Sequence, residues 1–100
     1  MGYVSKNLCL VYDTHKIVVE GITGMLKDEY SLIIDSKRVD TVKRIGNAVL
    51  HGQLIDKETQ TTPIKVEVKK SLSTYLTGGQ VGIQAFVEID GQKYLMEQEK

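Results

Sequence analysis

The chain has 100 residues, 41% of them apolar, with 13 basic against 13 acidic side chains. That length suits a single domain over residues 1–100 and excludes a second one. The apolar fraction at zero formal charge excludes a disordered tail, because such a chain can bury enough surface to offset its lost entropy. Valine (11), isoleucine (9) and threonine (8) stand against only two alanines. These stiff β-branched side chains pack well on pleated strands and lose rotamer freedom in helices, so the composition predicts a mostly β protein. Cys9 is the only cysteine. It excludes an intramolecular disulfide and a multi-cysteine metal knuckle, and a reducing, cytoplasmic home is the simplest expectation. No charged leader precedes an apolar stretch, and no apolar run approaches spanning length, so neither secretion nor membrane insertion is expected.

In chain order, Asn7 to Tyr12 and Lys16 to Ile22 read as a β-hairpin with Asp13-Thr14-His15 between them. Both strands are apolar on both faces, which suits either central burial in a sandwich or a face covered by another subunit. Tyr30 to Ile34 forms a third strand ended by Asp35-Ser36-Lys37. The stretch from Ser36 to Ile45 supports two readings. Val39, Val42 and Ile45 fall at spacing three, which fits a short helix near residues 37–45 closed by Gly46; the β-branched valines and the missing capping-box glutamate fit a strand entering a turn.

Ala48 to Ile55 reads as the next strand, with a polar loop from Asp56 to Thr62 and Pro63 where a strand can begin. Ile64, Val66 and Val68 alternate with Lys65, Glu67 and Lys69, the pattern of a strand with one wet face. The longest period-two run, Val81 to Ile89, feeds Asp90-Gly91, whose residues suit the left-handed backbone of a type I′ turn, and Lys93 to Met96 returns. Six or seven short strands with short loops leave no room for crossover helices, so the fold class is a small antiparallel sandwich or rolled sheet.

The chemistry is sparse. There is no Gly-x-Ser-x-Gly elbow, no paired metal-ligand spacing and no calcium loop. His15 reads as a turn residue, His51 as a strand residue on the wet face or the core edge, and Cys9, between Leu8 and Leu10, as a small buried hydrophobe. The run Gly78-Gly79-Gln80-Val81-Gly82 lacks the Lys-Ser/Thr of a phosphate loop and precedes a strand, so it reads as a flexible loop. Charge placement is more informative. Residues 37–70 hold eight cations against four carboxylates, a local +4, while the flanking segments carry −2 each. Lys43, Arg44, Lys65 and Lys69 are therefore the candidate residues for an anionic ligand. The plainer use of these lysines is a solvated strand face that also blunts an exposed edge. Lacking tryptophan and interleaved aromatics, the segment argues against nucleic acid. Tyr75 and Leu76, apolar residues in the loop before the long strand, are the candidate partner contacts.

His15-Lys16-Ile17 leading a strand, Ile34-Asp35-Ser36-Lys37 ending one, Leu50-His51-Gly52, and Ile89-Asp90-Gly91-Gln92-Lys93 after a long alternating strand together resemble one repeat of the Fas apoptotic inhibitory molecule family. The resemblance spans residues 15–95. It implies a compact antiparallel β-sandwich without a known active site that acts through protein contacts. The chain departs from that pattern at Ser36, where the family has a turn glycine, at the inserted Gln92, and in lacking tryptophan.

The expectation for function is a small non-catalytic binding module acting through protein contacts or as a homo-oligomer, without cofactor or metal. The alternative is a binder of a small anionic ligand or nucleic acid on residues 37–70. An enzyme using His15 or His51 beside a carboxylate stays open, although the reading leans away from it.

Overall fold

A computed structural model of the chain describes residues 4–23, 28–44, 47–56, 60–71 and 82–98. Every regular element among them is a strand: β1 (Val4–Tyr12), β2 (His15–Thr23), β3 (Asp28–Ile34), β4 (Lys37–Lys43), β5 (Ala48–Asp56), β6 (Gln60–Ser71), β7 (Gly82–Ile89), β8 (Gln92–Leu95) and β9 (Glu97–Gln98). They form two antiparallel sheets, a first in the order β4-β3-β2-β1-β9 and a second in the order β5-β6-β7-β8. The inward faces of the two sheets meet in one hydrophobic cluster, so the architecture is a small β-sandwich.

The alternation in the sequence produces this directly. Along β6, Ile64, Val66 and Val68 are buried while Lys65 and Lys69 are exposed; along β7, Ile83, Ala85, Val87 and Ile89 are buried while Gln84 is exposed. Residues paired across an antiparallel ladder share a face. Leu50 opposite Val66, and Val66 opposite Val87, therefore build one continuous inner row. Asp90 and Gly91 have φ of 52° and 80°, as a type I′ hairpin requires. Asp35 and Ser36 make the same kind of turn between β3 and β4 without a glycine, at φ of 50° and 70°.

Several expectations are corrected. Residues 37–43 are a strand, not a helix. The apparent spacing of three is produced by a β-bulge: the β3–β4 register shifts between Leu32 and Ile33, which leaves Val39 as an extra residue between Arg38 and Asp40. Pairing with β3 satisfies the backbone of this segment, and its valines favour that state. His15 belongs to β2 and not to a turn. Cys9 is half-buried, and it faces outward from the first sheet opposite Val18. The polar loop after β5 is shorter than its composition suggested, because Gln60 to Thr62 already pair with β5. Finally, β6 lies between β5 and β7, so its lysines do not guard an edge.

The edges are managed elsewhere. At one side β4 of the first sheet approaches β5 of the second. Asp40, opposite the core residue Leu32, turns its carboxylate inward and accepts the His51 N–H at 2.9 Å. A bulge together with an inward charge keeps an edge strand from pairing with foreign chains. At the other side one stretch of chain passes between the sheets: β8 pairs with β7, the Met96 N–H donates to the Ala85 carbonyl at 2.9 Å, and β9 pairs with β1. Met96 is buried at this corner and helps close the sandwich.

Candidate functional site

The outer face of the second sheet carries side chains in two adjacent rows set by the strand register. Val49, Glu67, Phe86 and Leu95 lie in one; His51, Lys65, Glu88 and Lys93 lie in the next. Val49, on the edge strand β5, is 42% exposed, and Leu95, on the opposite edge strand β8 beside the half-buried Phe86, is 54% exposed. The Lys69 ammonium lies 5.6 Å from the centroid of the Phe86 ring, and Lys93 Nζ lies 3.4 Å from Glu67 Oε1. The first contact is a cation–π interaction; the second largely neutralises the carboxylate lying between Lys65 and Lys69.

Where β4 hands the chain over to β5, this face ends in a cleft of about 360 Å³ lined by Val42, Arg44, Asn47, Ala48, Val49, Glu67, Val68 and Lys69. Two of the four cations picked out in the sequence, Arg44 and Lys69, are thereby brought to one cleft. Lys65 shares the sheet face and borders a second depression with His51, Pro63 and Glu88. Lys43 does not join them: it pairs opposite Glu29 in the first sheet, with Nζ 3.6 Å from Glu29 Oε1. Tyr75 and Leu76, and the glycine-rich run beside them, lie outside the described residues.

No family model, curated protein or solved structure matches the chain. The functional reading therefore rests on the geometry of the fold. Among the described residues, no three His, Cys, Asp or Glu side chains are grouped so that they could hold a metal ion. None of the described residues forms a helix long and apolar enough to cross a membrane.

The best-formed polar pair lies at the end of the sandwich where the β1–β2 and β3–β4 turns fall. His15 is buried, and its Nδ1 lies 2.6 Å from Asp35 Oδ2. An ionised carboxylate has only acceptors, so Nδ1 donates. Asp35 Oδ1 also accepts the Lys16 N–H at 2.9 Å, and the Asp35 N–H donates to the Lys16 carbonyl at 3.0 Å. These three bonds fasten the strained β3–β4 turn to the start of β2. The His15 hydrogen bond, ahead of the Lys16 N–H, holds the Asp35 carboxyl below its ordinary value of 3.8. A depressed carboxylate pKa contributes stability that is present above the unfolded value and lost as pH falls through the folded one. Asp35→Asn keeps a side chain that tolerates left-handed backbone but loses the charge. It is expected to cost about 1 kcal/mol near neutral pH, the half-exposed site being screened by water. That deficit should shrink as the pH drops below 4, measured by chemical denaturation from pH 7 to pH 3; a constant deficit over that range would contradict the assignment.

Sequence reasoning missed Asn47, Val49, Phe86, Leu95 and Lys93 as parts of one face, and it missed the His15–Asp35 pair. A signal for the face was present. Leu95 shares the outward parity of Lys93, and Val49 that of His51 and Gln53, so each is an apolar residue in a wet register. The His15–Asp35 bond joins residues 20 positions apart and follows only from the pairing of β2 with β3.

Proposed function

We propose that the protein is a non-catalytic binding module that engages a protein partner through the outer face of the second sheet. The observation that carries this reading is the juxtaposition of exposed Val49 and Leu95 with Phe86, Lys65 and Lys69 on one rigid sheet face that ends in the Arg44 cleft. Exposed apolar side chains interspersed with long cationic ones on a fixed strand face suit a mixed apolar and polar contact surface. Strand addition at the β4 edge is disfavoured by the Val39 bulge and the inward Asp40.

The test is site-directed photo-crosslinking. A benzophenone side chain placed at Val49 or Leu95 is expected to label the same partner peptide, identified by mass spectrometry, while one placed at the exposed Val11 on the first sheet does not. Labelling of another copy of this chain would identify the partner as self. Adducts from position 11 alone would overturn the choice of face.

A further inference from the structure

Among the described residues, some cations are paired with carboxylates and others are not. Arg38 is 3.5 Å from Glu20, Lys43 is 3.6 Å from Glu29 and Lys93 is 3.4 Å from Glu67. Arg44, Lys65 and Lys69 make no ion pair with any described residue, and all three border the outer face of the second sheet. Their attraction for an anion is not consumed internally. Against Glu67, Glu88 and Asp90, the last bordering the same depression as Lys65, the four cations Arg44, Lys65, Lys69 and Lys93 leave this face one positive charge in excess.

The spacing narrows the class of partner. Lys65 and Lys69 stand four residues apart on β6, about 13 Å at the rise of an extended chain. Between them lies the row that contains Val49, Phe86 and Leu95. An extended peptide shows residues i, i+2 and i+4 on one side at the same spacing. Resting on the reading of this face as a protein-binding surface, we infer that it takes an extended acidic segment of the pattern acid-x-apolar-x-acid. One carboxylate sits in the cleft between Arg44 and Lys69, the apolar side chain lies on Phe86 and its exposed neighbours, and the second carboxylate meets Lys65. The cation–π contact holds the Lys69 ammonium in place before the peptide arrives. A nucleic-acid strand fits less well: among the described residues this face offers the single half-buried ring of Phe86 where successive bases need successive rings, and Glu67 and Glu88 interrupt the line of cations.

Fluorescence anisotropy with the labelled peptide GSESLSEGS tests this on the intact chain. Binding is expected at low ionic strength, weakening between about 20 and 200 mM salt. The glutamine analogue GSQSLSQGS is expected to bind about tenfold less tightly, and Lys69→Gln or Arg44→Gln to weaken binding about two- to fivefold each. Lys43→Gln, on the other sheet, should leave it unchanged. All three substitutions are at exposed positions, so circular dichroism should show an unaltered fold. No binding at low salt, equal binding of the glutamine analogue, or tighter binding of a labelled ten-nucleotide oligothymidine would overturn the acidic-peptide assignment. Crosslinks from positions 49 and 95 that persist in that event would leave the binding face standing and remove only its charge preference.

Discussion

Replacing Tyr30 by alanine is expected to remove about 3–5 kcal/mol of stability, the usual cost of deleting a fully buried aromatic ring. Domains of this size are stable by about 5–15 kcal/mol, so Tyr30→Ala should lower the melting temperature by roughly 12 °C or more, read by circular dichroism. Tyr30 is 0% exposed and is the largest of the fully buried side chains among the described residues. Its ring lies opposite Gly21 on β2, and its hydroxyl donates to Asp28 Oδ2 at 3.5 Å. Tyr30→Phe keeps the ring and loses the bond to Asp28, for an expected cost of about 1 kcal/mol.

The same hydroxyl sets an alkaline limit. Burial first, then the Asp28 carboxylate, pushes the Tyr30 phenol up from 10.0 to about 12. For a group whose folded pKa is raised, the stabilising contribution is complete below the unfolded value and is lost as pH rises through the folded one. Stability should therefore decline between pH 10 and about 12. Ultraviolet titration should show a tyrosine ionising late, and Tyr30→Phe should abolish that late step together with its share of the alkaline loss. A titration in which every tyrosine ionises near 10 would falsify this account.

Gly21→Ala is the second large effect. A Cβ at Gly21 would stand 2.6 Å from Ile83 Cδ1 and 3.3 Å from Tyr30 Cδ1, so the two sheets approach too closely here for a methyl group. Both neighbours belong to the packed core and cannot simply swing into solvent. Overpacking of this kind costs about 1–3 kcal/mol. Because the closest contact is a single terminal methyl, Ile83→Val should relieve it, although that change alone costs about 0.5–1.5 kcal/mol. The double variant is expected to be more stable than Gly21→Ala alone, a coupling measurable in a double-mutant cycle. Simple additivity of the two losses would place the strain elsewhere.

The binding face and the blocked edge have a common consequence. With β4 bulged and Asp40 turned inward, contact through main-chain pairing is opposed, whereas the face of the second sheet offers fixed side-chain positions every two residues. Salt dependence is accordingly the informative variable: ammonium and guanidinium groups in solvent are screened within about 10 Å at ordinary ionic strength, while the apolar contribution of Val49 and Leu95 is not.

Much of the fold was legible before any coordinates. The period-two runs of β6 and β7, the Asp90-Gly91 turn and the shortage of alanine each follow from local chemistry, and together they specify a mostly β antiparallel chain with the wet and dry faces of β6 and β7 correctly placed. The Val39–Val42 spacing was ambiguous because a bulge shifts the alternation by one residue, and only the pairing partner β3 reveals it. The basic middle of the sequence was visible as a sum of charges. Its division into cations already paired across a ladder, such as Lys43 with Glu29, and cations left facing solvent, such as Arg44 and Lys69, depends on which strands become neighbours. Local pattern sets which way a side chain points, because parity along a strand is intrinsic to the backbone. What it meets there is decided by strand order and by the packing of one sheet on another, contacts that join residues far apart in the chain.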